Sequence, residues 1–400
     1  MLRAVRAVEE RTQGDLGPAG RALEAILASG IKALASDLHL DPHPGGTRVR
    51  FRVDGFFEDQ EGETGVPHER LIARLKVAAG LTVYRRNEIQ EGSIRREGGI
   101  DLRVSILPTV AGEKATIRIF DPAARPLNLE ELAFEPSQSA ALSRFAAGRQ
   151  GTFLVAGPSG SGKTTTLYAA AERVRTSRGA YKNICSVEDP VELAVAGIHQ
   201  VQVSRERGLT FARALSAILR QDPEVILVGE IRDPETAAIA VEAGMTGHLV
   251  LSSIHAGSAP EAVVRLLDLG VEPYALAGSL RGVVAQRLVR RICASCAGPD
   301  EPRPEVMEAA GFPEGGGWRR GAGCPACRGT GYRGRLPVSE LMEVGPELAE
   351  GMRKQGSSAV SSRALMGGRT LLDGGIARAR AGETTLEEVA RVAGRQERGR

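Results

Sequence analysis

Aromatic side chains are scarce in this 400-residue chain, which has nine Phe, five Tyr and one Trp, so its cores must be built mainly from Val, Leu, Ile and Ala. Long hydrophobic runs are missing. No stretch approaches the about 18 apolar residues of a membrane-spanning helix, and even the best runs, such as Val225–Val228, are short. The opening MLRAVRAVEERTQG lacks the apolar segment of a secretory signal. An excess of either charge is absent as well: 52 Lys and Arg stand against 49 Asp and Glu. That balance excludes an acidic disordered chain and argues against an obligate nucleic-acid coat, while leaving room for local basic patches. Cysteine is rare, at five residues, too few for a disulfide scaffold. The default compartment is the cytoplasm, where thiols stay reduced and paired cysteines more often bind metal.

Glycine (49) and proline (21) are plentiful, so many loops need special backbone geometry. The length suits two to four domains. From Arg21 the pattern ALEAILASGIKALA predicts an amphipathic helix, and RVRFRV over Arg48–Val53 predicts a strand with Arg on one face and Val and Phe on the other. His68–Ala79 reads as helical, and Asp101–Ile106 and Ala115–Phe120 as two further alternating strands, which together make a small α+β domain. The two-proline stretch DPAARPLNLEE is the best linker candidate. After it, short apolar strands at Thr152–Val155, Asn183–Val187, Val225–Val228 and His248–Ile254 alternate with helical segments, the pattern of a parallel, doubly wound α/β sheet. From Arg291 to Arg335 the chain is rich in Gly, Pro, Arg and Cys without periodicity and reads as a small insertion. Helical patterning then returns, with Thr384–Glu387 resembling a capping box before a final helix.

The segment Gly157-Pro-Ser159-Gly160-Ser161-Gly162-Lys163-Thr164-Thr165 matches the G-x-x-x-x-G-K-[ST] phosphate loop and lies between a predicted strand and a predicted helix, the placement that motif requires. Its glycines let backbone N–H groups turn toward phosphate oxygens, Lys163 reaches the β/γ-phosphates, and the Thr164 hydroxyl ligates magnesium. This predicts binding of a nucleoside triphosphate. In a doubly wound sheet, ligands sit beyond the carboxyl ends of the strands. On that edge the strands run into Glu188, Glu230 and His255. Glu230 can reach the metal shell or orient the attacking water, the second being the preferred reading, with Glu188 as the second acid near the metal or the water. His255 either senses the γ-phosphate, contacts a neighbouring subunit, or is a satisfied structural residue. Cys185, on an apolar strand, reads as a buried small hydrophobe.

Two C-x-x-C pairs, Cys293/Cys296 and Cys324/Cys327, have the spacing of a closed tetrahedral site. The expected ion is zinc, in a structural role, stapling a loop too glycine-rich to fold alone; redox pairing is the alternative. Residues 281–335 also hold ten Arg against five acids, a basic surface that suits either nucleic acid or anionic lipid. A nucleic-acid motor with a zinc knuckle is therefore the rival reading, although aromatics beside the patch are few (Trp318, Tyr332).

The order GPSGSGKTTT, SVEDPVE, LRQDPEVILVGEIRD and TGHLVLSSIHA resembles the Walker A, Asp box, atypical Walker B and His box of the secretion ATPase superfamily. Upstream, ASDLHLDPHPGGTRVRFRVDG, RLKVAAGLTVYRRN and DLRVSILPTVAGEKATIRI resemble that family's second N-terminal domain. Downstream, QRLVRRIC, the paired cysteines, GYRGR and TTLEEVARV resemble its assembly branch, the GspE/PilB-type ATPases of type II secretion and type IV pili. The resemblance implies a RecA-like P-loop NTPase core that hydrolyses ATP with Mg2+ in a cytoplasmic homohexamer at the inner membrane. Its partners would be a platform protein and a membrane-anchored adaptor, its action on pilins or pseudopilins would be indirect, and no direct nucleic acid contact is expected. It also implies that Arg103 and Arg118 act on a neighbour's γ-phosphate, although both lie on alternating strands where a surface charge is the plain alternative. Ser216 stands where many relatives carry a second Arg, with Arg220 kept. Only some 30 residues precede the match, where many relatives carry a further domain. The expected division is an arm over 1–30, the α+β domain over 31–121, a linker over 122–131, the ATPase core over 132–290, the tetracysteine zinc subdomain over 291–337 and a C-terminal helical subdomain over 338–400.

Overall fold

Period-two alternation writes the first sheet. The computed structural model describes residues 17–60, 64–124, 127–177, 183–311, 316–361 and 369–394, and divides at 125/126 into two compact units. In the first unit, strands β1 (Asp37–His43), β2 (Gly46–Val53), β3 (Phe56–Asp59), β4 (Gln90–Arg95), β5 (Asp101–Thr109) and β6 (Gly112–Phe120) form an antiparallel sheet in the order β3-β2-β1-β6-β5-β4. Leu38, Leu40, Phe51, Leu102, Val104 and Ile117 are buried on one face, where helices Pro18–Lys32 and His68–Ala78 cover them with Leu23, Leu27, Leu71, Ile72 and Leu75. Alternate residues put the Arg, Asp and His side chains on the other face. The predicted α+β character of this region is what the structure has.

The second unit follows a different logic. Strands β7 (Gly151–Ala156), β8 (Ile184–Glu188), β9 (Ile198–Gln202), β10 (Val225–Val228), β11 (Leu249–Ile254), β12 (Leu280–Ile292) and β15 (Tyr332–Glu343) form one sheet in the order β15-β12-β7-β11-β10-β8-β9, with only β15 antiparallel. The short strands β13 (Ala297–Pro299) and β14 (Arg319–Gly321) pair apart from it. Every residue of β7, β10 and β11 is buried, because helices cover both faces. Helices Pro136–Ala147 and Lys163–Ser177 pack on one side; helices Phe211–Ile218, Pro234–Met245 and Ala259–Asp268 pack on the other.

Two elements depart from the expectation. β15 pairs with β12 from Gly282↔Glu343 to Ile292↔Tyr332, so the expected boundary at 337/338 falls inside a strand of the main sheet. Leu336–Glu340 are five consecutive buried residues, which erases the alternation by which a strand is recognised. The last helix, Leu386–Ala393, is capped by Thr385, whose hydroxyl accepts the Glu388 N–H at 3.1 Å; this is one residue beyond the expected box. Among the described residues no helix is long and apolar enough to cross a membrane.

Candidate functional site

The phosphate loop leaves β7 at Gly157 and enters the helix at Lys163. Gly162 has φ +89°, a backbone region other residues avoid, and a side chain on it would crowd Gln286 Nε2 at 3.1 Å. A Cβ on Gly157 would stand 2.7 Å from the Gln286 carbonyl oxygen and 2.4 Å from Ser161 Oγ. The loop therefore needs glycine at both places. Lys163 Nζ donates to the carbonyls of Gly157 (2.9 Å) and Pro158 (3.0 Å). Ser159 and Gly160 are exposed, Thr164 and Thr165 half-buried. Among the described residues Ser161 Oγ is buried with no hydrogen-bond partner, an orphan hydroxyl in a loop of phosphate-binding sequence. Burial pulls the Lys163 ammonium below its ordinary range, and Arg287 and Arg232 add to this against the opposing pull of Glu230. A lysine so placed is stabilised by an incoming anion, so the loop fits a polyphosphate.

Glu188 ends β8, and Glu230 follows β10 after Gly229. Both stand at the carboxyl edge of the parallel strands beside the loop, but in different surroundings. Glu188 is 3% exposed; its Oε1 accepts from Ser186 Oγ (2.6 Å) and Gln200 Nε2 (3.0 Å), and its Oε2 from the hydroxyl of Tyr168 on the phosphate-loop helix. Burial, and then the charge of Glu188, push the Tyr168 hydroxyl well above its ordinary range, so it remains a donor. Glu230 is more open, and its Oε2 is held by Arg232 from Nε (3.0 Å) and Nη2 (2.9 Å). Asp189 lies 4.0 Å from Arg232. These hard oxygen donors, with the Thr164 hydroxyl, are the chemistry a magnesium ion takes. His255 stands exposed at the end of β11.

Gln286 is the residue that sequence reasoning missed. It sits 1% exposed on β12, donates to the Ser161 carbonyl at 2.7 Å, and accepts from Thr166 Oγ1 at 3.0 Å. It thus laces the phosphate loop and its helix to a strand more than a hundred residues away. The available signal was a lone amide inside the apolar run of RGVVAQRLV.

Arg103 and Arg118 face each other across β5 and β6 in the first unit. Arg118 Nε donates to Asp37 Oδ1 at 2.9 Å, and the Arg103 guanidinium lies 4.5 Å from the centre of the Phe120 ring and 3.7 Å from Asp101. Like charges placed opposite one another repel, and here acids on the same face offset that repulsion.

The four paired cysteines converge. Their sulfurs all lie within 4.8 Å of one another, with Cys293–Cys324 at 3.8 Å, Cys296–Cys327 at 3.9 Å and Cys324–Cys327 at 3.7 Å. Four sulfurs at about 2.3 Å from one ion in tetrahedral array stand about 3.8 Å apart, so the cluster fits zinc. The N–H groups of Cys324 (3.2 Å) and Gly331 (3.3 Å) point at Cys327 Sγ. Against the upward push of burial, they draw that thiol down to about 6, while burial and the neighbouring thiols push Cys296 up to about 11, so the cluster shares its protons unevenly until a metal displaces them.

Known proteins resemble this chain over most of its length. The family model described as "Type II/IV secretion system protein" matches residues 12–391. The type II secretion system protein HxcR of Pseudomonas aeruginosa is 44% identical over 385 residues, 94% of this chain and 78% of that protein. The type IV pilus assembly ATPase PilB of Thermus thermophilus is 40% identical over 94% of this chain and 43% of its own length. Two solved structures share the fold: the pilus retraction motor PilT with bound ADP (TM-score 0.66, 24% identity, 93% of this chain and 96% of that one) and the Yersinia pseudotuberculosis ATPase DotB (TM-score 0.70, 20% identity, 93% and 92%). The chain belongs to the type II/IV secretion system protein family, among the ATPases of type II secretion and type IV pilus assembly.

Proposed function

We propose that this ATPase hydrolyses ATP with Mg2+ at the Gly157–Thr165 loop and uses the turnover to drive assembly of pilin or pseudopilin subunits. The observation that carries the reading is the orphan Ser161 hydroxyl and half-buried Lys163 beside two strand-end acids. In this reading Lys163 and the loop N–H groups bind the β/γ-phosphates. Glu230, the more open acid, orients the attacking water, with Arg232 fixing its carboxylate. Glu188, locked by three donors, is held in place at the edge of the phosphate site. Magnesium would be held by the Thr164 hydroxyl and a neighbouring acid, where it would neutralise charge on the phosphate oxygens.

The site chemistry also favours an oligomer. Phosphoryl transfer gains from a rigid bidentate cation at the spreading charge, and Arg103 and Arg118 would supply it to a neighbouring copy in a homohexamer. Zinc at the four cysteines would be structural, since four thiolates leave no open position. The working place would be the cytoplasmic face of the inner membrane, with a platform protein as partner. The deciding measurement is phosphate release by the wild type and by Lys163→Ala; equal rates at the level of a blank would remove the enzyme claim.

A further inference from the structure

Arg287 follows Gln286 on β12, and its half-buried side chain leaves the strand on the opposite face. Its guanidinium donates from Nη1 to the Gln286 carbonyl at 3.0 Å and from Nη2 to the Gly257 carbonyl at 2.7 Å. That Gln286 oxygen is the atom lying 2.7 Å from where a Cβ on Gly157 would stand, so one oxygen separates the guanidinium from the first glycine of the phosphate loop. Lys163 Nζ bonds the Gly157 carbonyl at 2.9 Å. Two cations therefore flank one glycine.

The partners of Arg287 are neutral carbonyls; the acids Glu261 and Glu340 act on it only at range. Burial lowers its pKa, and its charge in turn weighs on Lys163. A guanidinium has five N–H donors, and among the described residues two are used here, so three remain with a poorly compensated charge. The motif lysine reaches the β/γ-phosphates, which marks the Gly157 end of the loop as the terminal-phosphate end.

We propose that Arg287 contacts the terminal phosphate of the nucleoside triphosphate bound to its own chain, a second fixed cation opposite Lys163 that separates triphosphate from diphosphate. The proposal rests on the reading of the loop as an ATP site. It differs from a purely structural tie between β12 and the chain beyond β11 in one respect. A tie would change stability alike with any nucleotide, whereas a phosphate contact changes the preference between nucleotides.

The test is titration of the full chain with ATPγS and with ADP, following melting temperature in parallel. Arg287→Gln should lose at least about tenfold in ATPγS affinity while ADP affinity stays within about twofold. Arg287→Lys keeps the charge without the fork and should recover part of the loss. Equal losses for both nucleotides, or no loss, would overturn the proposal. Should Arg287→Gln fail to fold, Arg287→Lys carries the test: a fall of about threefold or more in the ATPγS-to-ADP affinity ratio supports the contact, and an unchanged ratio refutes it. A wild type that binds neither nucleotide would instead sink the ATP reading itself, and this inference with it.

Discussion

Replacing Gln286 by Leu tests whether the phosphate loop is held from outside itself. The side chain is 1% exposed and makes two buried hydrogen bonds, to the Ser161 carbonyl at 2.7 Å and from Thr166 Oγ1 at 3.0 Å. Leu keeps the volume but leaves a carbonyl and a hydroxyl without these partners. At about 1–2 kcal/mol for each buried group left unpaired, the loss is about 2–4 kcal/mol. For a unit of this size that lowers the melting temperature by about 4–8 °C. One of the two bonds ends on the loop itself, so about 1–1.4 kcal/mol of the loss falls on loop geometry, which corresponds to a five- to tenfold weaker ATP affinity. Scanning fluorimetry gives the first quantity and titration with a fluorescent ATP analogue the second. A variant that melts early yet binds ATP within about twofold of wild type would show that Gln286 stabilises the fold without shaping the loop. One that melts normally would refute the brace altogether.

Tyr168→Phe removes one donor from Glu188 and should lower kcat about tenfold with ATP affinity nearly unchanged; in a Glu188→Gln background the same change should add nothing, and a full additive loss in steady-state phosphate release would refute the coupling. Cys324→Ser should reduce zinc from about one ion per chain to a small fraction by elemental analysis of the purified protein, and retention of full zinc would remove the four-thiolate assignment. Glu388, 1% exposed, accepts from Arg391 and Arg290, whose bonds outweigh the upward push of burial and hold its carboxyl below the ordinary 4.5. Its folded pKa is depressed, so its contribution is full above about pH 4.5 and vanishes as pH falls through the lowered folded value. Glu388→Gln should therefore cost about 2 kcal/mol at pH 7, and denaturant melts should show that difference closing in strong acid; a difference independent of pH would contradict this.

The parts of the molecule with strong periodicity or a spaced motif were legible in the sequence. β5 and β6 alternate, β10 and β11 are short apolar runs bounded by turn residues, and the phosphate loop and cysteine pairs carry their chemistry in their spacing. β15 was not legible, because Leu336–Glu340 are buried in succession and its partner β12 lies across the cysteine-bearing segment. Gln286 belongs to no spacing rule. Its role arises only when β12 is laid beside β7, with Ala285 in register with Ala156, which brings the next residue against the loop. The different surroundings of Glu188 and Glu230 likewise come from Tyr168, Gln200 and Arg232, which converge through the tertiary fold.

β12 has a mechanical consequence. It is hydrogen-bonded to β7 where the phosphate loop departs and to β15 along most of its length, and the next residue beyond its end is Cys293. A strand rises about 3.3 Å per residue, so the seven steps from Gln286 to Cys293 span at most about 23 Å, less what the irregularity between Arg290 and Ile292 takes up. The phosphate loop lies near one end of that stretch and the cysteine cluster begins at the other. The phosphate loop and the cysteine cluster are thus tied to one strand, which is held on both sides by β7 and β15 and is irregular in register between Arg290 and Ile292.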